Sequence, residues 1–150
     1  MEIRRLTKDD LPSLLRLYGQ LSAADSPLSA ETAEAVWGQI EGHVSIVYLG
    51  AVEDGAVVST CYLAIIPNLT RGGRPIGFVE NVVTDAAHRR QGLARRVLTE
   101  AVRIAREKGC YKVMLHSGAG RTQAHALYES LGFDGRSKRA FDLRLTEEQA

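Results

Sequence analysis

Apolar residues recur along this chain at helical spacing in some stretches and in strand-like alternation in others. Ile3 and Leu6 form a short alternation that predicts an opening strand. Leu11, Leu14, Leu15, Tyr18 and Leu21 follow at helical spacing. Thr7 caps that helix, with Asp10 in a capping-box-like position, and Pro12 falls in the first turn, where proline is tolerated. Asp25-Ser26-Pro27 breaks the chain. Ser29 then starts a second helix with Ala33, Val36, Trp37 and Ile40 inward, ending at Gly42.

The pattern next turns to strands. His43 to Glu53 and Ala56 to Ile66 flank Asp54-Gly55, a strong hairpin signal. Pro67-Asn68 ends that pair, and the polar loop Thr70-Arg71-Gly72-Gly73-Arg74-Pro75 leads to a strand over Ile76 to Thr84. A long helix is expected from about Gly92 to Lys108, with Leu93, Val97, Ala101, Ile104 and Ala105 inward and Arg96, Glu100, Arg103 and Glu107 outward. Tyr111 to His116 reads as a strand, Thr122 to Leu131 as a short helix, and Phe141, Leu143 and Leu145 as a closing strand. The order is β-α-α-β-β-β-α-β-α-β. That is an α/β sandwich on a mixed sheet, with one β-α-β crossover from Ile76 to His116.

Length and composition narrow this further. At 150 residues the chain is expected to form a single domain, 1–150, with no repeat and no linker. Nineteen Lys and Arg against 18 Asp and Glu leave a net charge of +1, which argues against a nucleic-acid or polyanion binder. The longest apolar run, Cys61-Tyr62-Leu63-Ala64-Ile65-Ile66, is far short of a membrane span, so no membrane partner is expected. Met1-Glu2-Ile3-Arg4-Arg5 turns charged at once, unlike a signal-peptide core. Cys61 and Cys110 make no disulfide framework and no metal pattern. A reduced, cytoplasmic compartment and no metal are the expectations.

The stretch that carries chemistry runs from Glu80 to Arg96: ENVVTDAAHRRQGLARR. A buried strand ends, a loop turns, and a helix starts at a glycine. The first turn of a helix has unpartnered N–H groups and a partial positive charge, so basic side chains there are unfavourable on their own. Yet Arg89, Arg90, Arg95 and Arg96 crowd this end, with no carboxylate between Asp85 and Glu100. A bound diphosphate would remove the conflict by accepting the free N–H groups and pairing with arginines, and Gly92 would let backbone approach it. Charge alone does not separate this from a solvated basic helix face. The glycine, the preceding strand and the crossover favour the anion site. Neither a Walker loop nor a Gly-x-Gly-x-x-Gly fingerprint is present; what is present is Arg89-x-x-Gly92-x-Ala94.

That motif resembles the acyl-CoA pyrophosphate loop of the GNAT N-acetyltransferase superfamily, Arg/Gln-x-x-Gly-x-Gly/Ala. A second motif, Ala124-His125-Ala126-Leu127-Tyr128-Glu129-Ser130-Leu131-Gly132-Phe133, resembles the family's Leu-Tyr-x-x-x-Gly-Phe helix and turn. The resemblance spans Gly77 to Phe133 well and the rest in element order, as for a small single-domain member of bacterial type. It implies a mixed, mostly antiparallel sheet flanked by helices, and acetyl-CoA as cosubstrate. It implies that backbone at Val82 and Val83 pairs with the pantetheine arm like an added strand. The N–H groups of Arg90, Gln91, Gly92, Leu93, Ala94 and Arg95 would hold the pyrophosphate, with Arg89 at the motif's entry position. Arg121 and Ala124 are further cofactor-side positions. Family members often carry Asn at the position of Arg121, which either binds a cofactor phosphate here or points to solvent.

The activity implied is direct acetyl transfer from CoA to a primary amine. Tyr128 is the candidate general acid, since a phenol of pKa ~10 can donate to a departing thiolate; a core tyrosine is the alternative. Glu80 is the candidate base, directly or through a water. An unpaired carboxylate midway along an apolar strand would be costly, so a cleft, a salt bridge or an anchoring role are the readings open. His116 could serve as base but reads better as a strand end, and His125 as helix surface. Cys61 has no adjacent base that would make it a nucleophile. Arg71 and Arg74 could recognise an acceptor phosphate or be ordinary loop charges.

The acceptor expected is a small-molecule amine. The Glu80-Asn81-Val82-Val83 stretch resembles glucosamine-6-phosphate acetyltransferases, so an amino sugar phosphate leads. Aminoalkylphosphonate or protein and peptide acetylation, and a non-catalytic acyl-CoA-binding regulatory module, are the alternatives. The family's frequent dimers leave a homodimer open, and no stretch identifies an interface.

Overall fold

The structure is a computed structural model that describes residues 1–145. The chain divides into two compact units, Met1–Leu115 and His116–Ala150. The first carries a five-stranded sheet in the order β1-β2-β3-β4-β5: β1 (Glu2–Arg5), β2 (Ile46–Glu53), β3 (Ala56–Ile66), β4 (Ile76–Thr84) and β5 (Lys112–Leu115). The first four are antiparallel neighbours, and β5 joins β4 in parallel. The parallel pair is joined through the long helix α3 (Leu93–Glu107), the expected crossover.

Local signals set most boundaries. Thr7 and Asp10 form the expected capping box, ahead of α1 (Leu11–Leu21). Asp10 is buried because Arg4 grips it with two 2.8 Å hydrogen bonds and the Thr7 N–H donates to it at 2.8 Å. The Arg4 guanidinium is also the main reason that carboxyl sits below the usual range. Ser29 caps α2 (Ala30–Glu41), its hydroxyl accepting the Thr32 N–H at 3.1 Å. Asp54 and Gly55 both take positive φ, as the hairpin between β2 and β3 requires.

The two faces of the sheet are covered differently. Leu6, Leu11, Leu14, Leu17, Trp37, Val57 and Val83 build one core under α1 and α2. The opposite face takes α3, whose Leu93, Val97, Leu98, Ala101, Ile104 and Ala105 are all buried. Each fully buried leucine there contributes about 1.5–3 kcal/mol through water exclusion. Gly50 packs closely, since a Cβ there would sit 2.7 Å from Leu6 Cδ2 and force that leucine to shift. Among the described residues, no helix is long and apolar enough to cross a membrane.

Several expectations need correction. Strand β2 starts at Ile46 rather than His43, because residues 43–45 turn to let Ile46 N–H reach His43 O. Val36 is 41% exposed, whereas Leu17, unmarked by the spacing, is buried. The closing strand does not form: Phe141, Leu143 and Leu145 are exposed and unpaired among the described residues. Alternation supplies one apolar face, but a strand also needs a ladder partner.

The second unit carries α4 (Thr122–Ser130). Phe133 N–H donates to Tyr128 O at 3.1 Å, and Gly132 takes φ 93° to turn the chain there.

Candidate active site

The site in the first unit begins with a break in strand register. Thr60 pairs with Val83 and Tyr62 with Glu80, so Cys61 faces two residues, Asn81 and Val82. This is a β-bulge, and Asn81 takes φ 53° to make it. Beyond the bulge, Ser59 Oγ donates to Val83 O at 3.3 Å and meets Thr84 Oγ1 at 2.8 Å, pinning β4 to β3 again.

The ladder between β4 and β5 covers only Ile76 to Val79. From Glu80 to Thr84, β4 runs on without β5 beside it. Its outer backbone edge there has no strand partner among the described residues; Val82 and Val83 belong to this stretch, with Val83 O turned toward Ser59 of β3. Such an edge can accept an extended ligand as an added strand.

Glu80 is half-buried at the last paired position before the bulge. Directly opposed residues share a face, so Tyr48, Tyr62 and Glu80 form one row across β2, β3 and β4. Tyr48 and Tyr62 stack with ring centres 5.1 Å apart, and Trp37 meets Tyr48 edge-on at 5.5 Å. Burial, reinforced by the Tyr62 phenol, pushes Tyr48 up to about 12. Tyr62 is raised by burial first and by the Glu80 carboxylate second. Tyr18 from α1 lies on this face too. Its hydroxyl is shielded from solvent, with the Asn81 side chain as a polar neighbour that falls short of full hydrogen-bond geometry. Burial is what most raises its phenol, and Asn81 acts to lower it. The row therefore offers a carboxylate beside flat aromatic faces.

Next comes the turn. Asp85 caps the short helical turn Ala86–His88, its carboxylate accepting the Ala87 N–H at 2.9 Å. Arg89 is exposed, with Nε donating to Thr84 O at 3.4 Å. Arg90 and Gly92 both take positive φ, 61° and 73°. Gly92 is the N-cap of α3 and has no side chain to cap it, and the first turn holds no acid. A Cβ built on Gly92 would meet nothing within 4 Å, so the space above the helix start is open. Leu93 is buried and anchors the turn, while Gln91, Arg95 and Arg96 are exposed and Ala94 half-buried. Among the described residues no carboxylate pairs with Arg89, Arg90 or Arg96. The nearest acid in sequence, Asp85, is spent on Gln20, Ala87 and His88. The arrangement can hold a diphosphate on backbone N–H groups with arginines around it.

Of the positions marked in sequence, Glu80, Val82, Val83 and residues 89–95 belong to the first unit. Arg121, Ala124 and Tyr128 belong to the second. Arg121 is the exposed N-cap residue of α4, its N–H donating to Gly118 O at 3.0 Å. Ala124 is half-buried. Tyr128 is buried, with its ring edge-on to Phe133 at 6.2 Å. His125 Nε2 faces Gly118 O at 2.9 Å, which ties the helix start.

Two open alternatives resolve. The Arg74 guanidinium donates to Gly109 O at 3.1 Å and Cys110 O at 3.2 Å, so it holds the loop. The Cys61 thiol is fully buried and burial pushes it up to about 12, which excludes a thiolate nucleophile. The aromatic row and the Gln20 contact had no signal in the sequence, because each depends on pairing between distant segments.

A sequence model described as the acetyltransferase (GNAT) family matches residues 9–133. The glucosamine 6-phosphate N-acetyltransferase of Trypanosoma brucei brucei is 37% identical over 134 residues, 89% of this chain and 88% of that protein. A solved structure from Agrobacterium tumefaciens strain C58 is 40% identical with TM-score 0.92, covering 96% of this chain and 99% of its own. The crystal structure of a Trypanosoma brucei acetyltransferase is 36% identical with TM-score 0.82, with the same coverage.

Proposed function

The chain belongs to the acetyltransferase (GNAT) family, and we propose that the amine it acetylates is that of an amino sugar phosphate. It is an N-acetyltransferase that uses acetyl-CoA. The observation that carries the acceptor is the 37% identity to a glucosamine 6-phosphate N-acetyltransferase, spread over 89% of this chain. Likeness of that extent covers far more than the cofactor motif. We read residues 1–150 as one acetyltransferase domain, because the family match crosses the division between the two units.

Each residue then has a task. The free edge of β4 at Val82 and Val83 receives the pantetheine arm as an added strand. The N–H groups from Arg90 to Arg95 accept the pyrophosphate, with Arg89 beside them and Gly92 leaving the approach open. Arg121 and Ala124 contribute cofactor contacts from the second motif. Glu80, directly or through a water, takes the proton that the ammonium must lose. The amine lone pair attacks the thioester carbonyl carbon, the carbon–sulfur bond breaks, Tyr128 donates a proton to the departing thiolate, and the second proton shed by the new amide nitrogen returns to the tyrosinate. The Tyr48 and Tyr62 rings suit the apolar face of a sugar ring.

The test is thiol release from acetyl-CoA with a panel of amines: glucosamine 6-phosphate, glucosamine, an aminoalkylphosphonate and a peptide amine. Glucosamine 6-phosphate is expected to be turned over fastest. Preference for the phosphonate or the peptide would replace this acceptor, and silence across the panel with tight CoA binding would favour a regulatory module.

A further inference from the structure

Four side chains outside the reacting groups form a continuous chain of contacts. Gln20 at the end of α1 donates from Nε2 to Asp85 Oδ2 at 2.7 Å and accepts the Ala86 N–H at 2.9 Å. Asp85 Oδ1 faces His88 Nδ1 at 2.9 Å. On the other side of the imidazole, Nε2 faces Glu53 Oε2 at 3.2 Å, at the end of β2. The turn Asp85–His88 is thereby tied to α1 on one side and to β2 on the other. The next residue is Arg89, followed by the two left-handed positions Arg90 and Gly92 that aim the start of α3.

We propose that the Gln20–Asp85–His88–Glu53 chain positions the acyl-CoA loop, with His88 as a protonated strut between two carboxylates. This rests on the reading that residues 89–95 hold the CoA pyrophosphate. Only the doubly protonated ring donates to both partners at once. A neutral ring that keeps its proton on Nδ1 turns a lone pair on Nε2 toward the Glu53 oxygen. The strut to β2 is then lost while the Asp85 contact persists. The charged groups about the ring are Asp85 on its own turn, Glu53 on β2 with Asp54 next to it, and Arg89 and Arg90 after it; Gln20 is the neutral neighbour from α1. Asp85 first, then Glu53, holds the His88 imidazolium above its ordinary range.

The sign follows. The strut is closed while His88 is protonated and opens as pH rises through its elevated pKa. CoA binding is expected to weaken about fivefold between pH 6.5 and about pH 9. The CoA phosphate monoester itself titrates near pH ~6, so the profiles of variants are compared rather than one profile alone.

The decisive variant is Glu53→Gln. Its amide N–H can donate to a neutral Nε2, and its carbonyl can accept from a protonated one, so the bridge survives at both pH values. CoA affinity by calorimetry is expected to stay flat in this variant across the range. His88→Gln is expected to bind CoA about fivefold more weakly at pH 6.5, with acceptor KM unchanged and no further loss at high pH. Parallel profiles for Glu53→Gln and the unaltered protein, including a constant gain at every pH from removing a charge, would overturn the proposal. Arg89→Ala separates the two levels. If it leaves CoA affinity unchanged, the loop assignment fails and takes the strut with it. If it weakens affinity while Glu53→Gln tracks the unaltered protein, the strut alone fails.

Discussion

The proposed cofactor loop and the aromatic row are assembled in opposite ways. The groups that would face the ligand lie within residues 85–96, a left-handed glycine, an acid-free first turn and a cluster of arginines, and only the ties from Gln20 and Glu53 come from farther away. The row at Tyr48, Tyr62 and Glu80 draws one residue from each of three strands, with Trp37 and Tyr18 added from two helices. A loop made locally can be carried as a motif. A face made by strand register can change its side chains one at a time, which suits an acceptor site that must differ between enzymes sharing one cofactor.

Substitutions can break that contrast. The largest effect is expected at Glu80. Glu80→Gln removes the candidate base without altering size, so kcat is expected to fall about 100-fold or more while KM for acetyl-CoA holds. Steady-state kinetics with both substrates varied would show this; an equal rise in acetyl-CoA KM would place Glu80 in cofactor binding instead. Next is Gly92→Val, which forces a β-branched residue to φ 73° although the space around it is open. Acetyl-CoA KM is expected to rise about tenfold or more with smaller change in acceptor KM. An unchanged value would mean that the loop conformation does not matter to binding.

A smaller effect concerns stability. Tyr18→Phe deletes a shielded hydroxyl whose polar neighbour, Asn81, falls short of full hydrogen-bond geometry, so the protein is expected to gain up to about 1 kcal/mol by denaturant unfolding. A loss of similar size would reveal a partner in solution. The smallest is the pH dependence of stability from His88. A folded-state pKa above the ordinary 6.5 makes its contribution complete below pH 6.5, and it is lost as pH rises through the folded value. Asp85 works in the other direction: held down to about 2, chiefly by His88 and then Gln20, it stabilises above pH 3.8 and stops doing so as pH falls toward 2. The difference in Tm between the unaltered protein and His88→Gln should shrink from pH 6.5 upward.

The same contrast explains how much could be read from sequence. Thr7 with Asp10, Ser29, Asp54-Gly55 and Gly92 are local devices, and each stands where its neighbours in sequence required. Val36 and Leu17 mark the limit of helical spacing, because the edge of a buried stripe is decided by what packs on it. The bulge at Cys61 was invisible for a stronger reason: a register shift belongs to a pair of strands and neither strand records it alone. Gln20 and Asp85 are 65 residues apart, so their contact has no local trace. Phe141 to Leu145 show the converse, a strand-like pattern that stays exposed.

The acceptor is the claim on which the roles of Glu80 and the aromatic row depend. Its most direct measurement is product analysis by NMR after incubation with acetyl-CoA and an equal mixture of glucosamine 6-phosphate and glucosamine. Expected are the two N-acetylated products summing to the CoA thiol released, with N-acetylglucosamine 6-phosphate formed about 10–100-fold faster than the unphosphorylated product. Thiol release without an N-acetylated sugar phosphate, or equal yields of both products, would contradict it.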